Sequence, residues 1–180
     1  MIDTFQCLGR RLLASGYSTP FLNCPPSYIH YDLNEAKRAI SDMGDRITKD
    51  GLPMNLEPLV FAFTGNGNVT NGALEIFKLL PHKMISLEEA KELKNSPGPH
   101  NCVYGVMIQQ KDIVKKISDN NVLDVKHYRE NPVEYESTFA KNVAPNVNVI
   151  VNGIYWDERY PRLLTKDEAA ELYGKGSNNR

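Results

Sequence analysis

The 180 residues, 41% apolar and 24% charged, suffice for one domain with its own hydrophobic core. A formal net charge of −1 leaves no basic surface for a polyanion, so no nucleic-acid partner is expected. No apolar run approaches the roughly 20 residues of a membrane span, and MIDTFQCLGRRLLASG lacks the parts of a secretory signal, so no membrane association is expected either. Cys7, Cys24 and Cys102 are widely spaced and form no C-x-x-C, which reads as reduced thiols in an intracellular protein. His30, His82, His100 and His127 show no ligand spacing, and no metal centre is expected.

Ile2, Phe5, Leu8, Leu12 and Leu13 recur at helical spacing, so the chain opens on an amphipathic helix that lacks a capping residue and ends near Gly16. TPFLNCPPSY comes next as an irregular, proline-stiffened connector. Leu33, Ala36, Ile40, Met43 and Ile47 mark a second helix, with Asp32 as its N-cap and Glu35 three positions on. Residues 1–51 are read as a helical connector segment that packs against the α/β part of the chain or against a neighbour. After Gly51 the period changes. Residues 59–63 (LVFAF) form a continuous apolar run, as expected of a strand buried on both faces in a parallel sheet. Ala73, Leu74, Ile76, Phe77 and Leu80 give a helix that stops at Pro81. Residues 82–85 are a second strand, and Ser86 with Glu89 opens the helix LEEAKELK by a capping box. Residues 102–108 (CVYGVMI) are a third strand, succeeded by a short polar helical turn. Asn131-Pro132 opens a helix that runs to residue 143. Residues 147–151 are the fourth strand, NGIYWDERYPRLL is a loop, and Thr165 with Glu168 caps a last helix.

The stretch LVFAFTGNGNVTNGALEIF carries the chemistry. In dinucleotide-binding folds a first strand leads through G-x-G-x-x-G into a helix. The first glycine makes the turn, the second lets backbone approach the pyrophosphate, and the helix N-terminus receives its charge. Gly65, Gly67, Asn68 and Val69 fit this pattern, while Thr70 stands at the third glycine. Gly72 and Ala73 come shortly after and can supply the close helix–strand contact instead. The competing reading is a hairpin at Asn66-Gly67, against which stands the helical spacing of VTNGALEIFKLL. A G-x-G turn of this kind also holds S-adenosylmethionine in methyltransferases. A NAD site wants an acidic residue about 20 positions later, on the ribose hydroxyls. Ser86 stands there, as an N-cap or as a ribose contact that tolerates a 2′-phosphate, with Lys83 or Lys91 as counter-charge and Glu88 opposing them. These residues by themselves leave the choice between NADP(H) and NAD(H) open. The loop NGIYWDERYPRLL lies at the carboxyl edge where ligands gather in open sheets, and Tyr155 and Trp156 either cover the core or face a ligand. LEEAKELK, KDEAAEL and KDIVKK read as solvated faces. The expected fold class is α/β, a Rossmann-type parallel sheet with flanking helices over residues 52–174. The expected strand order is 3-2-1-4, and residues 175–180 are a loose tail.

TPF, FTGNGNVTNGA, IFKLLP and NGIYWDERYPRLLT together resemble the lysine–ketoglutarate reductase half of the α-aminoadipic semialdehyde synthase family, from Ile2 to about Leu172. The turn G-x-G-N-V-[ST]-x-G-A and the loop N-G-I-Y-W are the specific parts, and the family has Ser or Thr where Thr70 stands. The resemblance implies an oxidoreductase of lysine degradation with two Rossmann-like domains. Its members condense lysine with 2-oxoglutarate and reduce the imine to saccharopine with NADPH. It places Gly65, Gly67, Asn68 and Val69 on the pyrophosphate side, and Asn152, Gly153 and Tyr155 near the nicotinamide. Thr70 and Ser86 complete the candidate cofactor set. The resemblance also implies that the acid–base residues belong to a preceding substrate domain and that further strands lie beyond the C-terminal side. The chain is then a cofactor-binding part, incomplete at that side and inactive alone. No catalytic residue is nominated, since Lys83, His82 and His127 read as surface positions. The alternative is a non-catalytic fragment or paralogue that binds a nucleotide, an oligomeric copy or a full-length family partner through its first two helices. The compartment implied is mitochondrial in an animal and cytoplasmic otherwise.

Overall fold

The run VFAFT offers no polar face to water. In the computed structural model, which describes residues 1–96, 98–118 and 123–174, it forms a strand buried along its whole length. The strands in chain order are β1 (Val60–Thr64), β2 (His82–Ile85), β3 (Val103–Ile108), β4 (Val114–Lys116), β5 (Tyr135–Ser137) and β6 (Val149–Asn152). The helices are α1 (Ile2–Ala14), α2 (Leu33–Asp50), α3 (Asn68–Phe77), α4 (Leu87–Glu92), α5 (Gln110–Ile113), α6 (Val125–Glu130), α7 (Phe139–Asn142) and α8 (Lys166–Tyr173). Four strands form a parallel sheet in the order β2-β3-β1-β6, while β4 and β5 pair antiparallel apart from it. Helices flank the sheet on both faces, a Rossmann-like α/β arrangement. The stretch at residues 175–180, expected as a loose tail, lies outside the described residues.

Successive side chains of β1 point to opposite faces and so enter different cores. Phe61 and Phe63 pack with Phe5 and Leu12 of α1, Ile40 and Met43 of α2, and Ile76 and Phe77 of α3. Val60 and Ala62 pack on the other side with Leu87 and Ala90 of α4, Tyr128 of α6 and Phe139 of α7. The two N-terminal helices therefore cover one face of the sheet. An aromatic chain ties them down: Phe21 to Phe5 at 5.8 Å, Phe5 to Phe61 at 5.9 Å, Phe61 to Phe77 at 5.2 Å and Phe77 to Phe63 at 5.0 Å between ring centroids.

Strand order departs from the expected 3-2-1-4, because the third strand lies between the first and the second. The reason is relative burial. In β3 only Met107 is exposed, whereas β2 carries Lys83 and Met84 to solvent and contains two ionisable residues, His82 and Lys83. A strand of that character suits an edge. The chain moves past β3 to lay down β2 and then returns to β3. Right-handed crossovers in opposite directions put α3 and α4 on opposite faces, as the two cores show.

The helix expected from residue 131 to 143 is also corrected. Pro132–Glu134 is a 3-10 turn, residues 135–137 are β5, and α7 comes after it. Pairing with β4 wins over local helix signals here, through the registers Val114↔Ser137 and Lys116↔Tyr135 and the ion pairs Lys115–Glu136 (2.8 Å) and Lys116–Glu134 (3.1 Å).

The helix caps obey the residue pattern. The Asp32 carboxylate accepts from the Glu35 N–H at 2.7 Å, and both Ser86/Glu89 and Thr165/Glu168 close as capping boxes. Phe77 is the hub of the aromatic chain and fully buried. Phe77→Ala is expected to cost about 3–5 kcal/mol of stability, measured by chemical denaturation.

Candidate functional site

Thr64 ends β1 in a place where water cannot reach it, so its polar groups must find partners inside the protein. Its carbonyl accepts the Thr70 hydroxyl at 2.8 Å and the Gly153 N–H at 3.1 Å. Its own hydroxyl donates to Asn152 Oδ1 at 2.8 Å and lies 3.2 Å from the Gly153 nitrogen. The glycine turn and the N-G-I-Y segment, far apart in the chain, thus meet where Thr64 pairs with Asn152 across β1 and β6. Two glycines permit the approach. Gly65 turns at φ +80°, and a Cβ there would sit 2.8 Å from the Gly153 carbonyl oxygen. A Cβ on Gly153 would collide with the Thr70 hydroxyl and lie 2.8 Å from the Thr64 oxygen.

Thr70 occupies the third-glycine position and is fully buried. It replaces a bare backbone contact with a hydroxyl that bonds the strand end. Ala73 packs in the core beside it, while Gly72 faces open space, so the close helix–strand contact is made by Thr70 and Ala73.

Beyond this junction the turn opens outward. Gly67 is the N-cap of the ten-residue α3, has no side chain to cap it, and would meet nothing within 4 Å if it carried a Cβ. Asn68 and Val69 stand in the first turn, both exposed, with Val69 at 67%. The first N–H groups of a helix have no intrahelical acceptor, and the macrodipole makes this end positive. The surface here is open, donor-rich and without a competing side chain.

Ser86 is not brought to this turn. It succeeds the edge strand β2 and is separated from β1 by all of β3, two strand spacings or roughly 10 Å. Its hydroxyl accepts the Glu89 N–H at 3.1 Å, and its own N–H donates to Glu89 Oε2 at 2.7 Å. Those bonds hold the Glu89 carboxyl below the ordinary range. The strand beside β1 is β3, in register Thr64↔Ile108, so Gln109, Gln110 and Lys111 come next to Gly65. Gln109 and Lys111 are exposed, and Lys111 makes no ion pair among the described residues. Sequence reasoning missed these residues because it placed the second strand beside the first.

Tyr155 is 75% exposed. With Asn152 it lines a cavity of about 350 Å³ between the loop after β6 and the β4–β5 pair. Asp157 is held down at about 2 by its fork to Arg159, with N–O distances of 3.1 and 2.8 Å. A larger cavity of about 510 Å³ lies at the amino ends of β1 and β6, beside His100, Asn148 and Tyr173, and touches none of the expected site residues. His82 Nδ1 bonds the Leu80 carbonyl at 2.8 Å and His127 Nδ1 the Tyr135 hydroxyl at 2.9 Å, so both rings are tied to the scaffold. Lys83 lies exposed on β2. No cluster of three or more His, Cys, Asp or Glu suited to a metal ion occurs among the described residues, and no described helix is long and apolar enough to cross a membrane.

No family model matches the chain. Among curated proteins it is 38% identical over 186 residues to an alpha-aminoadipic semialdehyde synthase of Arabidopsis thaliana, with 98% of this chain and 18% of the relative covered. It is 36% identical over 172 residues to the enzyme of that name from Rattus norvegicus (96% and 18% covered) and 35% identical over 178 residues to that from Bos taurus (99% and 19%), both named mitochondrial. The chain spans about a fifth of the length of these relatives. Over nearly its whole length, the chain is a homologue of one segment of the alpha-aminoadipic semialdehyde synthases.

Proposed function

We propose that the chain is the NADP(H)-binding part of a lysine–ketoglutarate reductase, an oxidoreductase that forms saccharopine in lysine degradation. The observation that carries this reading is the turn after β1. It is a strand–glycine–helix junction whose second glycine is uncapped and borders open space, at the positive end of a ten-residue helix. Those features fit a pyrophosphate, and Gly65, Gly67, Asn68 and Val69 would hold it. Asn152, Gly153 and Tyr155, at the carboxyl end of the neighbouring strand, would flank the nicotinamide. Bound there, the nicotinamide supplies a hydride for reduction of an imine. The adenosine ribose is assigned to Gln109–Lys111, because Ser86 is committed to its helix cap. Lys111 is a cation, and Asp112 is drawn back to accept the Gln109 N–H at 2.8 Å. This balance favours a 2′-phosphate, hence NADP(H) over NAD(H).

Reduction of an imine also needs a positioned acid–base group. His82 and His127 are engaged elsewhere, so lysine and 2-oxoglutarate are substrates only together with a separate substrate domain. The compartment proposed is that of the mammalian relatives, the mitochondrion, if the source is an animal. A partner-binding role has one observation in its favour. Tyr28, Ile29, Tyr31 and Leu33, between and at the start of the first two helices, are 85, 58, 95 and 54% exposed.

Gly67→Asp separates fold from binding. Gly67 has an extended backbone at φ −86° and room for a side chain, and Asp is a preferred N-cap. The variant should melt no lower than the parent yet bind NADPH at least tenfold more weakly, about 1.4 kcal/mol, by nicotinamide fluorescence. Equal NADPH affinity in the two proteins, or preference for S-adenosylmethionine, would sink the reading. Lys111→Glu should weaken NADPH severalfold and leave NADH unchanged, measured in the same titration.

A further inference from the structure

Three Asn-Gly pairs occur in the sequence: Asn66-Gly67, Asn71-Gly72 and Asn152-Gly153. Such a pair is chemically labile, because glycine has no Cβ to shield its nitrogen from the preceding side-chain amide. Attack requires a backbone nitrogen that is not hydrogen-bonded, an amide that is free to turn, and backbone outside regular structure. The fold withholds these conditions from two of the pairs and grants them to one.

The Gly153 N–H is committed to the Thr64 carbonyl at 3.1 Å. Asn152 Oδ1 is held by the Thr64 hydroxyl at 2.8 Å and by the Ile154 N–H at 3.3 Å. Asn71 and Gly72 lie inside α3, where the Gly72 N–H belongs to the helical ladder. Asn66 differs on every count. It lies between β1 and α3, is exposed, and its side chain has no hydrogen-bond partner among the described residues. The Gly67 carbonyl accepts the Asn71 N–H at 3.0 Å, but the Gly67 nitrogen precedes the ladder and has no acceptor among the described residues. The space around Gly67 is open.

We propose that Asn66 is a site of spontaneous deamidation and that its conversion closes the glycine turn to anions. The Gly67 nitrogen bonds to Asn66 Cγ, the Cγ–Nδ2 bond breaks, and Nδ2 leaves as ammonia with the Gly67 amide proton. Water then opens the resulting succinimide. Addition at Cγ gives aspartate in the normal chain. Addition at the main-chain carbonyl gives isoaspartate, with an extra methylene in the backbone. Either product sets a carboxylate beside the positive end of α3, which favours the folded state and competes with a bound anion for the same donors. That the excluded anion is a dinucleotide pyrophosphate rests on the dinucleotide reading. The modification does not.

The test is to incubate the full chain at mildly alkaline pH and follow each Asn-Gly pair by peptide mass spectrometry. Asn66 should convert at least about tenfold faster than Asn71 or Asn152, which must first break a hydrogen bond. In denaturant the three should convert at similar rates, because the protection belongs to the fold. A folded-chain rate at Asn66 no higher than at the other two would overturn the site. Asn66→Asp supplies the normally linked product directly and should bind NADPH severalfold more weakly than the parent while melting no lower. Asn66→Gln, whose longer side chain closes a ring far more slowly, should keep its initial NADPH affinity through the incubation while the parent loses its own. Equal NADPH affinity of Asn66→Asp and the parent would overturn the closing of the turn. If the parent binds no NADPH, the dinucleotide reading fails and the conversion rates alone decide the modification site.

Discussion

Thr64 closes β1 with a carbonyl and a hydroxyl that have no access to water. Leaving such a group unpaired costs about 1–3 kcal/mol, so the surrounding chain is constrained to deliver donors to it. Thr70 delivers one from the first turn of α3 and Gly153 another from the loop after β6, while Asn152 takes the Thr64 hydroxyl. Each contact fixes something outside itself. The Thr70 bond sets where α3 begins and therefore where its positive end points. The Gly153 and Asn152 bonds set where the loop leaves β6 and therefore where Tyr155, Trp156 and Arg162 stand. The outward face of the glycine turn is left free because its inward face is fully used.

The rest of the fold supports that junction. β1 is buried on both sides, between a core of phenylalanines under α1, α2 and α3 and a second core under α4, α6 and α7. A central strand held this way cannot shift register without turning every side chain into the wrong core. The carboxyl ends of β1, β3 and β6 therefore stay level, with Thr64, Ile108 and Asn152 in register. The turn, Gln109–Lys111 and the N-G-I-Y segment are the ends of three adjacent strands. Ligands of open parallel sheets gather at this edge.

Much of the fold was legible from residue patterns. The helical spacing in 1–51, the apolar run at β1 and the Ser86/Glu89 and Thr165/Glu168 boxes are local signals, and the structure uses them locally. Strand order was misread, because it depends on a comparison between strands that consecutive reading does not make: HKMI against VYGVMI for the place beside β1. That comparison was available in the two sequences and points to β3. The β4–β5 pair was missed because three-residue strands are too short to show a period, and a proline after Asn131 imitates a helix start. At the site, the glycine turn showed itself by type and spacing. The part played by Thr70 did not, since a buried hydroxyl bonding a strand end is a tertiary fact.

The most direct measurement is a map of backbone amide shifts in the isotopically labelled chain as NADPH is added. The largest movements should fall on residues 65–70, 109–111 and 152–155, the ends of the three adjacent strands. Shifts confined to the opposite end of the sheet, around His100, Asn148 and Tyr173, or no shifts from a folded chain, would contradict the assignment of this edge as a dinucleotide site.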